Sequence, residues 1–366
     1  MKRIVIILLL SFFFCFPVRA EGVYEEHYKQ SGAEDLDESL TEEAREFFIK
    51  ENIDLKEPDW VNQITVGNIF SEIFSFIGEG FKQPFKSGLA MFGVIVIFSA
   101  VSGMESMKQY QKLTSYIFAP LCVLIIFMPL FSLIDSAMSA AKAGSTFMLS
   151  FVPVYAGILT VGGQGLTASG MSLLLLGAAE AVSMLCSFVI VPLMGCYLSI
   201  GLISSVSQNG SSVALGELIK KAAMWILSIT LTVFLGLLSI QTAVNSSADG
   251  LGIKTAKFVL GSFIPVAGSA ISESLTTVTA AVKLLKSSVG MYGVVAVCAM
   301  VLPVVLEMLL WRLVIFLLIA AEGLFGAKLG TDIFKAIDCV LSVLIGVMLF
   351  CAGLFIISLA IVSGVK

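Results

Sequence analysis

Charged side chains are scarce in this sequence, making up 13% of its 366 residues against ~25% in a typical soluble domain. Histidine is represented by His27 alone, and no zinc spacing, phosphate loop or nucleophile elbow is present in the sequence. The glycine-rich stretch 162–165 lacks the Lys-Ser/Thr pair of a phosphate loop, and we interpret it as a turn. These absences argue against a soluble fold and against an enzyme. We expect no catalytic residue, no metal and no cofactor.

Hydrophobic residues, in contrast, make up 58% of the chain, and the mean hydropathy is +1.00. Six apolar runs are close to or longer than the ~20 residues with which a helix crosses a bilayer. They cover residues 87–104, 113–134, 171–206, 222–244, 289–320 and 336–363. The run 171–206 is too long for one crossing and is divided near Pro192. The sequence therefore predicts an all-α, polytopic helical membrane protein with six to eight spans.

The N-terminus has the pattern of a secretory signal peptide. Two basic residues precede a 13-residue apolar run, 4–16, and Pro17 then leads to Val18 and Ala20 at the −3 and −1 positions of a cleavage site. We predict that residues 1–20 are cleaved, which places the following segment outside the cytoplasm. An uncleaved signal anchor is the alternative.

Residues 21–60 lack cysteine and carry 14 acidic against 4 basic side chains. The absence of cysteine excludes a disulfide framework in this segment. Its charge predicts a short, solvated acidic segment outside the membrane. Within it, Ser39-x-x-Glu42 has the form of a capping box followed by apolar residues at helical spacing, so we expect a short helix to begin there.

Residues 61–86 are amphipathic, with isoleucine and phenylalanine on one side and polar residues elsewhere. This pattern favours a helix in the membrane interface, or a helix packed on other extracytoplasmic helices. Residues 87–145 are predicted to contain the first two transmembrane helices. Positive-inside bias places the lysines between these two spans in the cytoplasm and leaves Asp135 and Lys142 outside.

Two stretches, SFVPVYAG at 150–157 and SFIPVAG at 262–268, share a proline within apolar sequence. A second proline follows the first motif's proline by 39 residues and the second motif's proline by 38, and LGELIKKA is echoed in register by LGTDIFKA. Three collinear matches indicate an internal repeat, predicted as residues 146–257 and 258–366, with chance matching of apolar sequence as the alternative.

The repeated proline has a direct physical meaning in a membrane helix. Proline frees a backbone carbonyl that lipid cannot satisfy, so Pro153, Gly157, Pro265 and Gly268 are predicted to form helix interruptions that face protein or water. Paired broken helices are typical of a transport pathway at a repeat interface. Two kinked helices that only pack through small residues are the alternative.

Three ionisable residues, Glu180, Glu307 and Arg312, lie within apolar runs, where a charge is costly unless it is paired or hydrated. A spacing of five residues puts Glu307 and Arg312 on different faces of a helix, so each needs a partner elsewhere, and Glu180 with Arg312 is one candidate pair. These residues either form structural pairs or snorkel to the surface, or they serve a proton or ion relay. The hydroxyl-rich stretch 272–279 is too polar to span easily and predicts a re-entrant or interfacial helix.

Three stretches carry a family resemblance. LTVFLGLLSIQTAV at 231–244, DGLGIKTAKFVLGSFIPVAG at 249–268 and VKLLKSSVG at 282–290 resemble the stage III sporulation protein AE family of endospore-forming bacteria. The signal peptide, the acidic segment and the many spans fit this family along the chain, although the N-terminal segment is only weakly similar.

The resemblance implies a location and partners. Members of this family are made in the mother cell and lie in the membrane that surrounds the engulfed forespore. They act with other subunits of a secretion-like channel complex, including ring-forming proteins and a secretion-type ATPase, which is needed for late forespore gene expression. The resemblance brings no catalytic residue and no nucleic-acid partner, and it leaves oligomerisation open. A self-contained secondary transporter, or a non-conducting scaffold or assembly factor, is the alternative function.

Overall fold

The computed structural model of the chain describes ten stretches, and structural statements below concern only these. They are residues 28–56, 60, 78, 80–103, 117–118, 120–185, 195, 211–263, 268–325 and 330–363. All regular secondary structure in these residues is helical. The predicted signal peptide 1–20, most of the amphipathic segment 61–86, Pro192 and Pro265 lie outside the described residues.

The acidic segment contains a 3₁₀ helix, Ala33–Ser39, and an α-helix, α1, Glu42–Lys50. The prediction that Ser39 caps this helix is wrong. Its hydroxyl donates to the carbonyl oxygen of Leu36 at 2.7 Å and so closes the 3₁₀ turn. Thr41 caps α1 instead, because its Oγ1 accepts from the backbone N–H of Ala44 at 3.3 Å.

Within the described stretches, six further helices are long and apolar enough to cross a membrane. They are α2, Lys82–Gly103; α3, Met128–Val161, which a π-helical turn, Val123–Phe127, precedes; α4, Gly165–Leu185; α5, Ser211–Phe263; α6, Gly268–Phe325; and α7, Thr331–Ser363. Each contains all or part of one predicted apolar run. The all-helical, multi-pass class is therefore confirmed.

Two of these helices are much longer than a bilayer requires. Helix α5 has 53 residues and α6 has 58, which at 1.5 Å per residue gives about 80 and 87 Å, whereas the hydrocarbon core is ~30 Å thick. The stretch 272–279 belongs to the continuous helix α6 rather than to a separate re-entrant helix. No glycine or proline stands between residues 270 and 289 to interrupt it.

Helix α7 occupies the centre of the bundle. It packs on α3, α4, α5 and α6, and 72% of its apolar window is buried, against 11% for α5. It forms an antiparallel hairpin with α6, and α3 forms another with α4. The turn between α3 and α4 contains Gly163 at φ +78°, a left-handed conformation that favours glycine. The predicted turn at 162–165 is thus confirmed.

Gly293 of α6 is the point where α3 and α7 both meet α6. A Cβ on this glycine would lie 2.7 Å from Cε2 of Phe151 on α3 and 3.0 Å from Cδ1 of Leu359 on α7. The Phe151 ring is fully buried and stands between the rings of Phe147 and Tyr155, with both centroid distances 5.5 Å. Three helices therefore cross at a position that has room only for hydrogen.

The acidic segment packs onto α3 and α6 close to this crossing. Trp60 Nε1 donates to Ser288 Oγ at 3.0 Å, Tyr292 OH donates to Asp37, and the Phe48 and Tyr292 rings meet edge to face at 4.7 Å. The buried apolar residues of the segment are Tyr28, Ala33, Leu36, Leu40, Ala44, Phe48, Ile53, Leu55 and Trp60. Its apolar side therefore covers the two helices, while most of its acidic side chains stay exposed.

Candidate functional site

Three of the four residues predicted as helix interruptions lie on described helices, and Pro265 lies outside the described residues. Pro153 lies inside the continuous helix α3, and its ring is exposed. Gly157, one turn further, is partly exposed, and a Cβ there would meet no heavy atom within 4 Å. Gly268 is the first residue of α6. The pathway interpretation of the proline motifs stays a prediction.

The charges predicted at membrane depth are separate from one another. Glu180 is exposed on α4, and Glu307 is partly buried on α6. The suggested pairing of Arg312 with Glu180 is wrong. Arg312 Nε donates to Oδ1 of Asp338 at 2.7 Å, and its Nη2 lies 3.4 Å from Oδ2. Asp338 lies on α7, and the α6–α7 hairpin brings it level with Arg312.

A buried carboxylate holds the start of α7. Glu322, near the end of α6, is 1% exposed. One of its oxygens accepts from the backbone N–H of Gly330 at 2.7 Å, and the other accepts from Thr331 Oγ1 at 2.5 Å. The unpaired N–H groups and partial positive charge of a helix N-terminus favour an anion at this position. Gly330 has no room for a side chain, because a Cβ would lie 2.5 Å from Cε1 of Phe118.

A second carboxylate holds the start of α4 in the same way. Asp249 of α5 accepts from the backbone N–H of Leu166 at 3.1 Å and from both the N–H and the Oγ1 of Thr167 at 2.9 Å. One turn earlier on α5, Asn245 Nδ2 donates to the carbonyl oxygen of Leu166 at 3.1 Å. Gly170 lets α5 come this close, because a Cβ there would lie 2.5 Å from Nδ2 of Asn245.

The α3–α4 turn is also held from the side of α6. Lys286 Nζ donates to Oε1 of Gln164 at 3.1 Å, and this lysine is among the few charged side chains that are buried. The turn thus contacts α5 through Asp249 and α6 through Lys286. The two hairpins are joined to the rest of the bundle by polar contacts at defined helix ends.

These polar contacts are suited to fixing helix positions rather than to chemistry on a substrate. Within the described stretches, no three His, Cys, Asp or Glu side chains are grouped so as to hold a metal ion. Sequence reasoning missed Asp249, Glu322 and Asp338 because each lies near the edge of an apolar run, where a charge is unremarkable. The sequence does contain a signal for Asp338. Arg312 and Asp338 are each 13 residues from Phe325, where α6 ends, so a hairpin that turns there brings the two residues to the same level.

The contact at Asp249 gives a first prediction. Replacing Asp249 with alanine leaves the first N–H groups of α4 without their acceptor, so we expect a loss of about 1–2 kcal/mol in unfolding free energy. Hydrogen exchange of the amides of Leu166 and Thr167 should accelerate before that of the rest of α4. The matched control is Glu46→Ala, which removes an exposed carboxylate from α1. Equal exchange in both variants would show that the contact contributes nothing.

The fold defines a class: a multi-pass helical membrane protein in which buried carboxylates accept hydrogen bonds at the starts of α4 and α7. Comparison with known proteins gives the family. The family model "Stage III sporulation protein AE" matches residues 59–365, so the chain belongs to the stage III sporulation protein AE family.

A curated relative has the same description. It is "Stage III sporulation protein AE" of Bacillus subtilis (strain 168), 29% identical over 173 residues. This alignment covers 47% of the present chain and 43% of the relative, less than half the length of either protein. No solved structure matches the chain.

Proposed function

We propose that this protein is the multi-pass membrane component of the secretion-like channel complex that links the mother cell to the forespore. Its site of action would be the mother-cell membrane around the forespore, and its loss would block late forespore gene expression. The observation that carries the proposal is the family match over residues 59–365, together with six helices fit to cross a membrane.

Two features of the fold support a role as one subunit of a larger assembly. Helices α5 and α6 are longer than a bilayer needs, so parts of both project beyond the hydrocarbon and offer helical surface to other proteins. The acidic segment covers only one region of α3 and α6. Ring-forming proteins and a secretion-type ATPase of the same complex are the proposed partners, with oligomers of the chain itself in addition.

The transporter alternative receives less support. A secondary transporter of the broken-helix type binds its substrate at unwound backbone, whereas α3 continues through Pro153 without a break. A non-conducting scaffold differs from a channel subunit in what its loss does to passage between the two cells. The experiment therefore needs a readout of passage as well as a readout of assembly.

The proposal is tested by deleting the gene in the spore-forming organism that carries it. We expect engulfment to be completed, followed by failure of a late forespore reporter and a strong loss of heat-resistant spores, both restored by the wild-type gene. Pull-down of the tagged protein from sporulating cells should recover the ring-forming subunits. Normal spores from the deletion strain would refute the proposal. Failure of the remaining subunits to co-purify in the absence of this chain would favour the scaffold, whereas an assembled complex that no longer passes a small-molecule tracer would favour a conducting subunit.

A further inference from the structure

One exposed face of α3 is polar over most of its length. Apart from the adjacent Asp135 and Ser136, its members are spaced three or four residues apart, which puts them on one side of the helix. They are Ser132, Asp135, Ser136, Ser139, Lys142, Thr146 and Ser150, all exposed. We call this face the polar stripe. It runs from residue 132 to residue 150, a rise of about 27 Å along the helix.

The polar stripe lies within an apolar helix. The candidate span that includes α3 runs from Pro120 to Val161, so any 20-residue crossing within it contains part of the stripe. Charged side chains within spans almost always face protein or water, because lipid does not solvate them. Within the described residues, neither Asp135 nor Lys142 forms an ion pair.

A second exposed face, on α4, carries one charge. Its residues are Leu173, Gly177, Glu180 and Met184. Glu180 is the only ionisable residue of α4, and it too forms no ion pair within the described part of the chain. Gly177 leaves a shallow place on this face, since a Cβ there would meet no heavy atom within 4 Å.

Lys142 of the polar stripe and Glu180 of the α4 face carry opposite charges at nearly the same depth. Ser145 Oγ donates to the carbonyl oxygen of Ala179 at 3.4 Å, so these residues of the antiparallel α3 and α4 are level. Counting along both helices, Lys142 is level with about residue 182, and Glu180 lies about 3 Å from that level. Leu149 of α3 is level, by the same count, with the neighbourhood of Gly177.

Copies of a membrane protein share one orientation in the bilayer, so groups at equal depth are the ones that meet. A symmetric pair that used the polar stripe on both sides would place Lys142 against Lys142 and Asp135 against Asp135. Like charges at an interface are repulsive. A head-to-tail contact, with the stripe of one copy on the α4 face of the next, places Lys142 beside Glu180 and Leu149 over Gly177.

We propose that the polar stripe of α3 docks on the exposed α4 face of a second copy of this chain, with Lys142 and Glu180 paired across the contact. The contact is heterologous, so repetition of it builds a ring if the rotation closes and a chain of subunits if it does not. The inference rests on the proposed function only in placing all copies in one membrane with one orientation.

Site-specific cross-linking between copies tests the contact. Two differently tagged full-length chains, both without native cysteines, carry Lys142→Cys and Glu180→Cys respectively and are expressed together. Oxidation in native membranes should link the two tags. In the matched control, the second chain carries Leu173→Cys and keeps Glu180. Position 173 lies on the same face but about 10 Å away along the helix. We expect little linkage from this control.

Three results would overturn the proposal. The first is a predominant Lys142→Cys dimer, which indicates a symmetric contact. The second is equal linkage at positions 173 and 180, which indicates random collision. The third is absence of linkage together with full labelling of the polar stripe by a membrane-impermeant thiol reagent, which indicates that the stripe faces water.

Charge reversal supplies a second measurement that uses no cysteine. Lys142→Glu or Glu180→Lys alone should lower co-purification of two tagged copies by about fivefold or more, and the double variant should restore it. Failure of the double variant to restore binding contradicts the pairing. If deletion of the gene blocks forespore expression but these variants leave self-association unchanged, the copy–copy contact is refuted while the proposed function stands. If self-association follows the charges but deletion leaves sporulation intact, the reverse holds.

Discussion

Replacing Gly293 with leucine is expected to cause the largest loss of stability of any single substitution considered for this protein. The new Cβ alone would lie 2.7 Å from Cε2 of Phe151 and 3.0 Å from Cδ1 of Leu359. Phe151 has nowhere to move, because its buried ring is flanked by Phe147 and Tyr155. α3 and α7 must therefore both withdraw from α6, at a cost of about 3 kcal/mol or more.

The measurement is the free energy of unfolding of the purified protein during SDS titration in mixed micelles. Gly157→Leu on α3 is the matched control, because the space around that glycine is open. A partial rescue of Gly293→Ala by Phe151→Leu would assign the effect to this one contact. If Gly293→Leu and Gly157→Leu unfold at the same SDS fraction, α3 and α7 do not pack closely on α6 at Gly293.

The second large effect is expected for Glu322→Ala. This change leaves the backbone N–H of Gly330 and the hydroxyl of Thr331 without the carboxylate that accepts from them at 2.7 and 2.5 Å. The site is buried, so water does not replace the lost acceptor, and we expect a cost of about 2–3 kcal/mol. The beginning of α7 should become accessible to protease in native membranes, whereas we expect the wild-type protein to resist cleavage there.

A double-mutant cycle separates the two halves of this contact. Thr331→Val removes only the hydroxyl and should cost about 1 kcal/mol. Combined with Glu322→Ala it should add almost nothing, because its partner is already absent. Full additivity of the two changes would contradict a shared interaction. Asp332→Asn, next in the chain and outside this contact, is the control for general effects of charge at the start of α7.

The class of fold was open to prediction from sequence because the bilayer imposes length and polarity on its helices. Each of the six predicted apolar runs lies at least partly within one of the long helices of the described residues. Even the turn at 162–165 follows from two adjacent glycines, one of which takes a left-handed conformation. Helix length was predicted less well, since the polar residues before Lys286 suggested a break, while the lack of glycine and proline there allowed α6 to continue.

The contacts between helices were harder to predict because they depend on register. Glu322 and Asp249 find their partners only after the hairpins form, and nothing local distinguishes either from a solvated acid at the edge of a run. Pro153 illustrates the opposite difficulty. Its ring faces outward from α3, so the helix accommodates it without losing continuity. Residue type alone predicted an interruption that the described backbone of α3 does not have.

The contacts of the acidic segment determine how soon after its synthesis this segment can fold. Its hydrogen bonds to Ser288 and Tyr292 join residues 228 and 255 positions apart in the chain. At ribosomal rates the segment waits on the order of 10–50 seconds before its partners exist. A segment that is made early is therefore among the last to acquire its native surroundings. During that interval its aromatic residues are exposed to any chaperone or insertion factor that binds the nascent chain.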